Sequence, residues 1–317
     1  MARGFGKGGK AGIAPMAALL LLSLLWAGAA LRVDLLPELF SGLLPHLERQ
    51  TIPLALLAIA AGLLAFLRGE KWPCGRRLGR AALIGLGLFA APAGLVCLSD
   101  GWVPGLARTA LFTLTPVFAV VFEPYVGEGL KRPVRGGLSA SLTALAGALL
   151  VFPVAIPSSI AAGIALLSVI LAAACVAAAN CMGVAESERL TGCSAAGWAA
   201  MASVAGASAA IALAAASMFV ERAVWRWPRL APELLWSAAV ELPGLLLLFW
   251  LMPRMSAPRM ATRYLLAPVL VILIGVMLLR SGSEVRGQTW LGLILMALGT
   301  GWLNFAPRSD ADLSLNL

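Results

Sequence analysis

Charge is scarce in this chain. Asp, Glu, Lys and Arg make up 12% of its 317 residues, while 61% are hydrophobic. Soluble domains are about a quarter charged, so there are too few polar side chains here to clothe a core of this size in a solvated shell. His46 stands alone, and one histidine makes no metal cluster; it reads as a solvated residue in an outer connection. The five cysteines show neither a CxxC pair nor a Cys/His spacing, which argues against zinc and against a disulfide framework. Cys97, Cys175 and Cys181 lie inside apolar runs and read as buried free thiols, with Cys74 in a basic loop and Cys193 at a helix start. Gly4-Phe5-Gly6-Lys7-Gly8-Gly9 is glycine-rich, but no strand precedes it and no Lys-Ser/Thr pair closes it, so it is a flexible basic tail and not a phosphate loop. Without a nucleotide-binding motif, direct ATP use by this chain is not expected.

Ala, Leu and Gly are abundant, as suits helices packed closely in lipid. The net charge of +9 sits in short Arg and Lys clusters between apolar runs. That is the pattern of cytoplasmic loops and not of a nucleic-acid surface. Runs of spanning length are expected at about 15–31, 52–67, 81–98, 103–122, 137–152, 160–182, 194–219, 233–252, 264–279 and 290–305. No charge occurs from Gly136 to Ala185, a stretch that Pro153 and Pro157 cut into two spans. Arg3, Lys7 and Lys10 before the first run, with Ala27-Gly28-Ala29 after them, also fit a cleaved signal peptide. Placing the N-terminus in the cytoplasm puts more Arg and Lys inside, with Arg222–Arg229 as the exception. The expectation is an all-α protein of the cytoplasmic (inner) membrane with both termini inside. Residues 1–14 form a basic tail, 15–152 a first five-helix unit, 153–306 a second, and 307–317 a second tail.

The halves echo each other at a spacing of about 151 residues. Val134-Arg135-Gly136 returns as Val285-Arg286-Gly287, Pro92 with Gly94 as Pro243 with Gly244, and Pro116-Val117 as Pro268-Val269. Five spans is an odd number, so the second half enters the membrane from the opposite side. Inverted halves of this kind can exchange conformations and so present one site to either face. The prolines at 92, 116, 243 and 268 are expected to interrupt spans three, four, eight and nine, which are the expected cavity wall.

The stretch from Arg108 to Phe122, with Leu114-Thr115-Pro116-Val117-Phe118 at its centre, resembles the fourth-helix signature of EamA-type proteins of the drug/metabolite transporter superfamily. Gly127-Glu128, Gly136-Gly137 and Leu25-Trp26-Ala27-Gly28 are similar to further motifs of that family, and Ala267-Pro268-Val269 is a weaker echo in the second half. The long first connection and Glu123-Pro124 depart from the pattern. The resemblance implies ten helices, two five-helix repeats and a central substrate cavity; with the odd span count the expectation is two inverted five-helix repeats, without a cofactor, as a monomer or homodimer. It also implies small-molecule transport, commonly export of metabolites or drugs with protons as the coupling ion.

Glu241 lies within span eight, two residues before Pro243. Its carboxyl either faces the cavity as a protonatable group, coupling transport to protons or pairing with a cationic substrate, or is held neutral or hydrogen-bonded to a neighbouring helix. Arg108 either binds an anionic substrate group, pairs with Glu241 or Asp100, or snorkels to the interface. Thr109 and Thr113 share a helix face and either line a polar strip or bond their own backbone. Trp26 and Trp236 are candidates to stack a substrate, with interfacial anchoring as the alternative; Trp225, Trp227, Trp290 and Trp302 read as anchors. Asn180 bonds either substrate or another helix, and Arg263 with Tyr264 is a candidate inner gate. A secondary transporter is the leading expectation. A membrane-embedded lipid enzyme and a scaffold or sensor are the rivals, weakened by the sparse intramembrane polar groups and by the matched prolines.

Overall fold

An apolar run in lipid must satisfy its own backbone N–H and C=O groups, and a helix does so within one segment. The computed structural model describes residues 13–35, 44–126, 136–154, 157–191, 197–222, 225, 227–278 and 287–305, and all regular structure among them is helical. In chain order the helices are α1 (Ile13–Leu35), α2 (His46–Leu67), α3 (Arg76–Cys97), α4 (Gly105–Val126) and α5 (Gly137–Val151). They continue as α6 (Ile160–Thr191), α7 (Trp198–Glu221), α8 (Leu230–Leu251), α9 (Ala257–Gly275) and α10 (Gly287–Phe305). Eight of these, α1–α4 and α6–α9, are long and apolar enough to cross a membrane. Exposed Ile59, Phe66, Ile164, Ile211 and Leu298 stud the outer surface, a distribution that suits lipid contact and not water. The chain is therefore a multi-pass, all-α membrane protein. The side on which α1 begins is termed the near face, the opposite side the far face.

Several helices outrun their apolar windows. His46 and Arg49, expected in a polar connection, belong to the first turn of α2, and Arg259 and Arg263 lie inside α9. α6 has 32 residues, about 48 Å at the standard rise. It therefore carries Glu186 and Arg189 past the hydrocarbon layer, about 30 Å thick. Hydropathy averages side chains, whereas a helix continues wherever its charged side chains find partners. The N-terminal tail, Glu38, Gly127-Glu128, Val134-Arg135, Cys193, Val285-Arg286 and the C-terminal tail lie outside the described residues.

Small residues set the closest approaches. α2 and α7 run antiparallel: a Cβ on Gly206 would meet the Ala58 nitrogen at 3.0 Å, and one on Gly62 would meet Ser203 Oγ at 2.9 Å. α5 and α10 cross the same way, with Gly147 facing Gly292 and Gly299 facing Ala140 and Ala144. A Cβ on Gly85 would fall 2.0 Å from the Ala205 carbonyl oxygen, so α3 and α7 touch backbone to backbone there.

Features 151 residues apart coincide. Wide five-residue turns occupy Leu86–Ala90 in α3 and Ser237–Glu241 in α8. Each is followed two residues on by a proline, Pro92 or Pro243. A widened turn absorbs the ring and the missing N–H that proline brings into a helix. Glu70, just beyond α2, accepts the Ala199 and Ala200 backbone N–H groups at the start of α7, at 3.1 and 3.0 Å. Glu221, at the end of α7, accepts the Leu47 and Glu48 N–H groups at the start of α2, at 2.8 and 3.1 Å. Each carboxylate thus satisfies orphan donors at the positive end of the other helix. Packing partners exchange in the same way: α1 lies on α8 and α9, and α6 lies on α3 and α4.

Pro116 stands just after a break at Thr113–Leu114. Pro268 does not interrupt its span. It is carried inside the continuous helix Arg263–Leu278, and the discontinuity of α9 falls at Thr262. There the Thr262 hydroxyl bonds the Arg259 carbonyl at 2.6 Å and accepts from Asn304 Nδ2 of α10 at 3.2 Å, which satisfies the turn locally.

Candidate functional site

A cavity of about 440 Å³ runs into the bundle from the far-face ends of α2 and α3. His46, Arg49 and Val96 border its upper part, and Trp26, Phe112, Arg263 and Tyr264 its floor. Both widened turns reach its wall, through Leu88 and Phe89 in α3 and Glu241 in α8. α3, α4, α8 and α9 all contribute to the wall. α1 and α2 contribute as well, the latter through Arg49, Gln50, Pro53 and Leu54.

The floor is aromatic around one guanidinium. Trp26 and Tyr264 meet edge to face with ring centroids 5.6 Å apart, and Phe112 stacks on Tyr264 at 6.0 Å. Arg263 is fully buried, its guanidinium carbon 5.0 Å from the Trp26 ring and 4.7 Å from the Tyr264 ring. It donates to the Met260 carbonyl and to Asn180 Oδ1, both at 3.1 Å. α9 sets its depth. At six residues beyond the helix start, Arg263 lies about 9 Å along the axis. Below it, Met252, Met255 and Met260 are packed into the core, and Met252 sulfur sits against Gly183.

Glu241 ends the widened turn of α8. It accepts a hydrogen bond from Ser237 at 2.7 Å and lies 3.9 Å from Arg32 of α1. Arg32 also bonds Glu233 at 3.0 Å, and that pair is buried on both sides. The arrangement ties α1 to two turns of α8 and leaves part of Glu241 open to the cavity. His46, expected in a solvated loop, is half-buried in α2 and 3.4 Å from Arg49, because the helix begins earlier than its apolar run. Among the described residues no three His, Cys, Asp or Glu side chains gather as metal ligands would.

Of the residues proposed from sequence, Trp26, Pro92, Glu241, Arg263 and Tyr264 are brought together on the cavity wall, and Asn180 stands behind Arg263. The others lie elsewhere. Arg108 pairs with Asp100 in the turn between α3 and α4. Thr109 bonds the Gly105 carbonyl, and Thr113 the Ala110 carbonyl. Trp236, Pro116, Pro243 and Pro268 are not among the lining residues. Arg32, Arg49 and Glu233 were not singled out, because each stands at the end of an apolar run, where charges normally mark a loop. The one available signal was the spacing of Glu233 and Glu241, eight apart and near one helix face.

No family model matches the chain, and no curated protein matches it. A solved structure described as "Crystal structure of protein" superposes with a TM-score of 0.68 at 18% identity, covering 91% of this chain and 97% of the other. At that identity the likeness shows a shared fold.

Proposed function

We propose that this chain is a secondary transporter of small molecules, working by alternating access and built as ten spans in two inverted five-helix repeats of the EamA type. The observation that carries the reading is the exchange of equivalent contacts across the bundle. Glu70 caps α7 at one face while Glu221, 151 residues on, caps α2 at the other. Such equivalence supplies two states of similar energy, one open to each face. The cavity supports the same reading, since it is bordered by His46 and Val96 at the far face, while Met252 and Met260 are buried on the near-face side of Arg263. On this proposal the membrane is the cytoplasmic one, the termini are inside, and the state described is outward-open. Export of metabolites or drugs is the direction the family resemblance favours.

Glu241 is the proposed proton carrier, because among the described residues it is the one carboxylate on the cavity wall. Cysteines placed at Val96 and at Met252 test alternating access in vesicles. Position 96 should label from the far side and position 252 from the near side, each at the expense of the other. A position 252 that never labels under any gradient would sink the mechanism. For coupling, Glu241→Gln should keep counterflow and lose acceleration by a pH gradient; unchanged acceleration would remove Glu241 from that role.

A further inference from the structure

We infer that the cavity takes small organic anions, with the anionic head on Arg263 and an apolar body against Trp26, Phe112 and Tyr264. The inference rests on the transport reading above and names its substrate class.

Arg263 is fully buried in a membrane-spanning helix, where an ionised side chain needs a compensating partner. Its contacts are all formally neutral: the Met260 carbonyl, the Asn180 amide oxygen, the Tyr264 hydroxyl at 3.4 Å and two ring faces. Among the described residues no carboxylate lies within ion-pair distance of it. Its Nε has no hydrogen-bond partner, and neither has Nδ2 of the adjacent Asn180. Two buried donors beside one another therefore stand without an acceptor next to the cavity floor. A carboxylate or phosphate oxygen supplies an acceptor and the missing charge together.

The rest of the cavity has the same bias. Arg49 lines it as well; among the described residues no carboxylate lies within ion-pair distance of it, its guanidinium meeting the His46 ring, with Glu233, Glu241 and Glu221 acting on it only from farther away. Glu241, the carboxylate of the wall, is already shared with Arg32 and Ser237. Among the described residues, two lining guanidiniums thus face one lining carboxylate that has partners of its own. The volume, about 440 Å³, is in the range of pockets that enclose a ligand of one or two rings.

The test uses the full chain in lipid nanodiscs in chloride-free buffer. Benzoate, phenylacetate and phenyl phosphate are compared with benzamide, benzylamine and chloride, by tryptophan fluorescence and by melting temperature. The three organic anions should give saturable responses, at least about tenfold tighter than the isosteric amide and amine. Arg263→Gln should abolish the preference for benzoate over benzamide, and Arg263→Lys should retain part of it. Should the glutamine variant not fold, the wild-type panel and the lysine variant decide. Benzamide or benzylamine binding as tightly as benzoate would overturn the inference. So would chloride matching benzoate, or a panel in which none of the three organic anions binds. Counterflow in proteoliposomes separates this outcome from that of the transport reading. An anion bound but never carried removes transport and leaves the site, whereas carriage of the amine or amide alone removes the site and leaves transport.

Discussion

The near and far faces of the bundle are assembled from matching parts, yet one is shut and the other holds a cavity. Both ends of the α2–α7 pair are capped by a glutamate from the opposite helix or its edge. The ion pairs beside those caps differ in burial. On the far face Arg32 and Glu233 are each only a few per cent exposed. On the near face Glu186 is buried, but Arg77 and Arg80 around it are 47% and 46% exposed. A fully buried pair is costly to break by removing one partner, while a half-solvated one is weakened by water and salt. The far-face pair is thus a strut within the α1–α8 unit. The near-face cluster, which joins α3 to α6, is the weaker of the two and acts as a latch for the face that opens in the proposed cycle.

The largest expected effect comes from the strut. Arg32→Gln leaves the Glu233 carboxylate in low dielectric without its cation, a loss on the order of 3–5 kcal/mol. Thermal unfolding in detergent should show it, and the double variant Arg32→Gln with Glu233→Gln should recover most of it. A single variant as stable as the parent would mean the pair bears no structural load, and the contrast between the faces would lose its basis.

The latch gives the next effect. Glu186→Gln removes the acceptor that holds Arg80 at 3.2 Å and Arg189 at 3.1 Å. After discounting for solvent screening, about 1–2 kcal/mol of near-face closure is lost. A cysteine at Met252, directly below the cavity floor, should then be modified roughly tenfold faster from the near face. An unchanged rate would place closure in the methionine packing alone.

The strut and the latch also mark how far the sequence could be read. Spans were legible because an apolar run in lipid has one structural outcome, and Trp26, Glu241 and Tyr264 stood out as polar or aromatic groups within such runs. Arg32 and Arg49 did not, since a charge at the end of a run looks like a loop until a partner from another helix is seen. For Arg108 the one-dimensional record offered several partners, and only the turn between α3 and α4 selects Asp100. The spacing of 151 residues was visible in prolines, but Glu70 and Glu221 were not recognised as its best-matched pair. Nothing in Leu-Arg-Gly-Glu and Phe-Val-Glu reveals that both accept backbone N–H groups across the bundle.

Those two glutamates provide a sharper form of the comparison. Glu70→Ala and Glu221→Ala should each cost about 1–2 kcal/mol locally, because each leaves two helix-start donors without their carboxylate. Hydrogen exchange reads the outcome by position. The first change should speed exchange at Ala199 and Ala200 only, the second at Leu47 and Glu48 only. If both variants loosened the same face, the caps would not be equivalent and the proposed inverted repeat would lose its main support.

The smallest effect is expected where a charge pair lies outside both strut and latch. Arg108 and Asp100 meet in the far-face turn, with side chains 25% and 53% exposed. Exposed pairs of this kind contribute about 0–1 kcal/mol. Asp100→Asn should therefore leave melting temperature, labelling at position 252 and counterflow nearly unchanged. This pair is near the cavity mouth but borders neither Arg263 nor Glu241, so it separates general far-face charge from the charge that lines the site. A loss of counterflow in Asp100→Asn equal to that in Arg263→Gln would mean that ions are gathered by the whole far surface. Retention, beside loss in the Arg263 variant, localises recognition to the buried guanidinium.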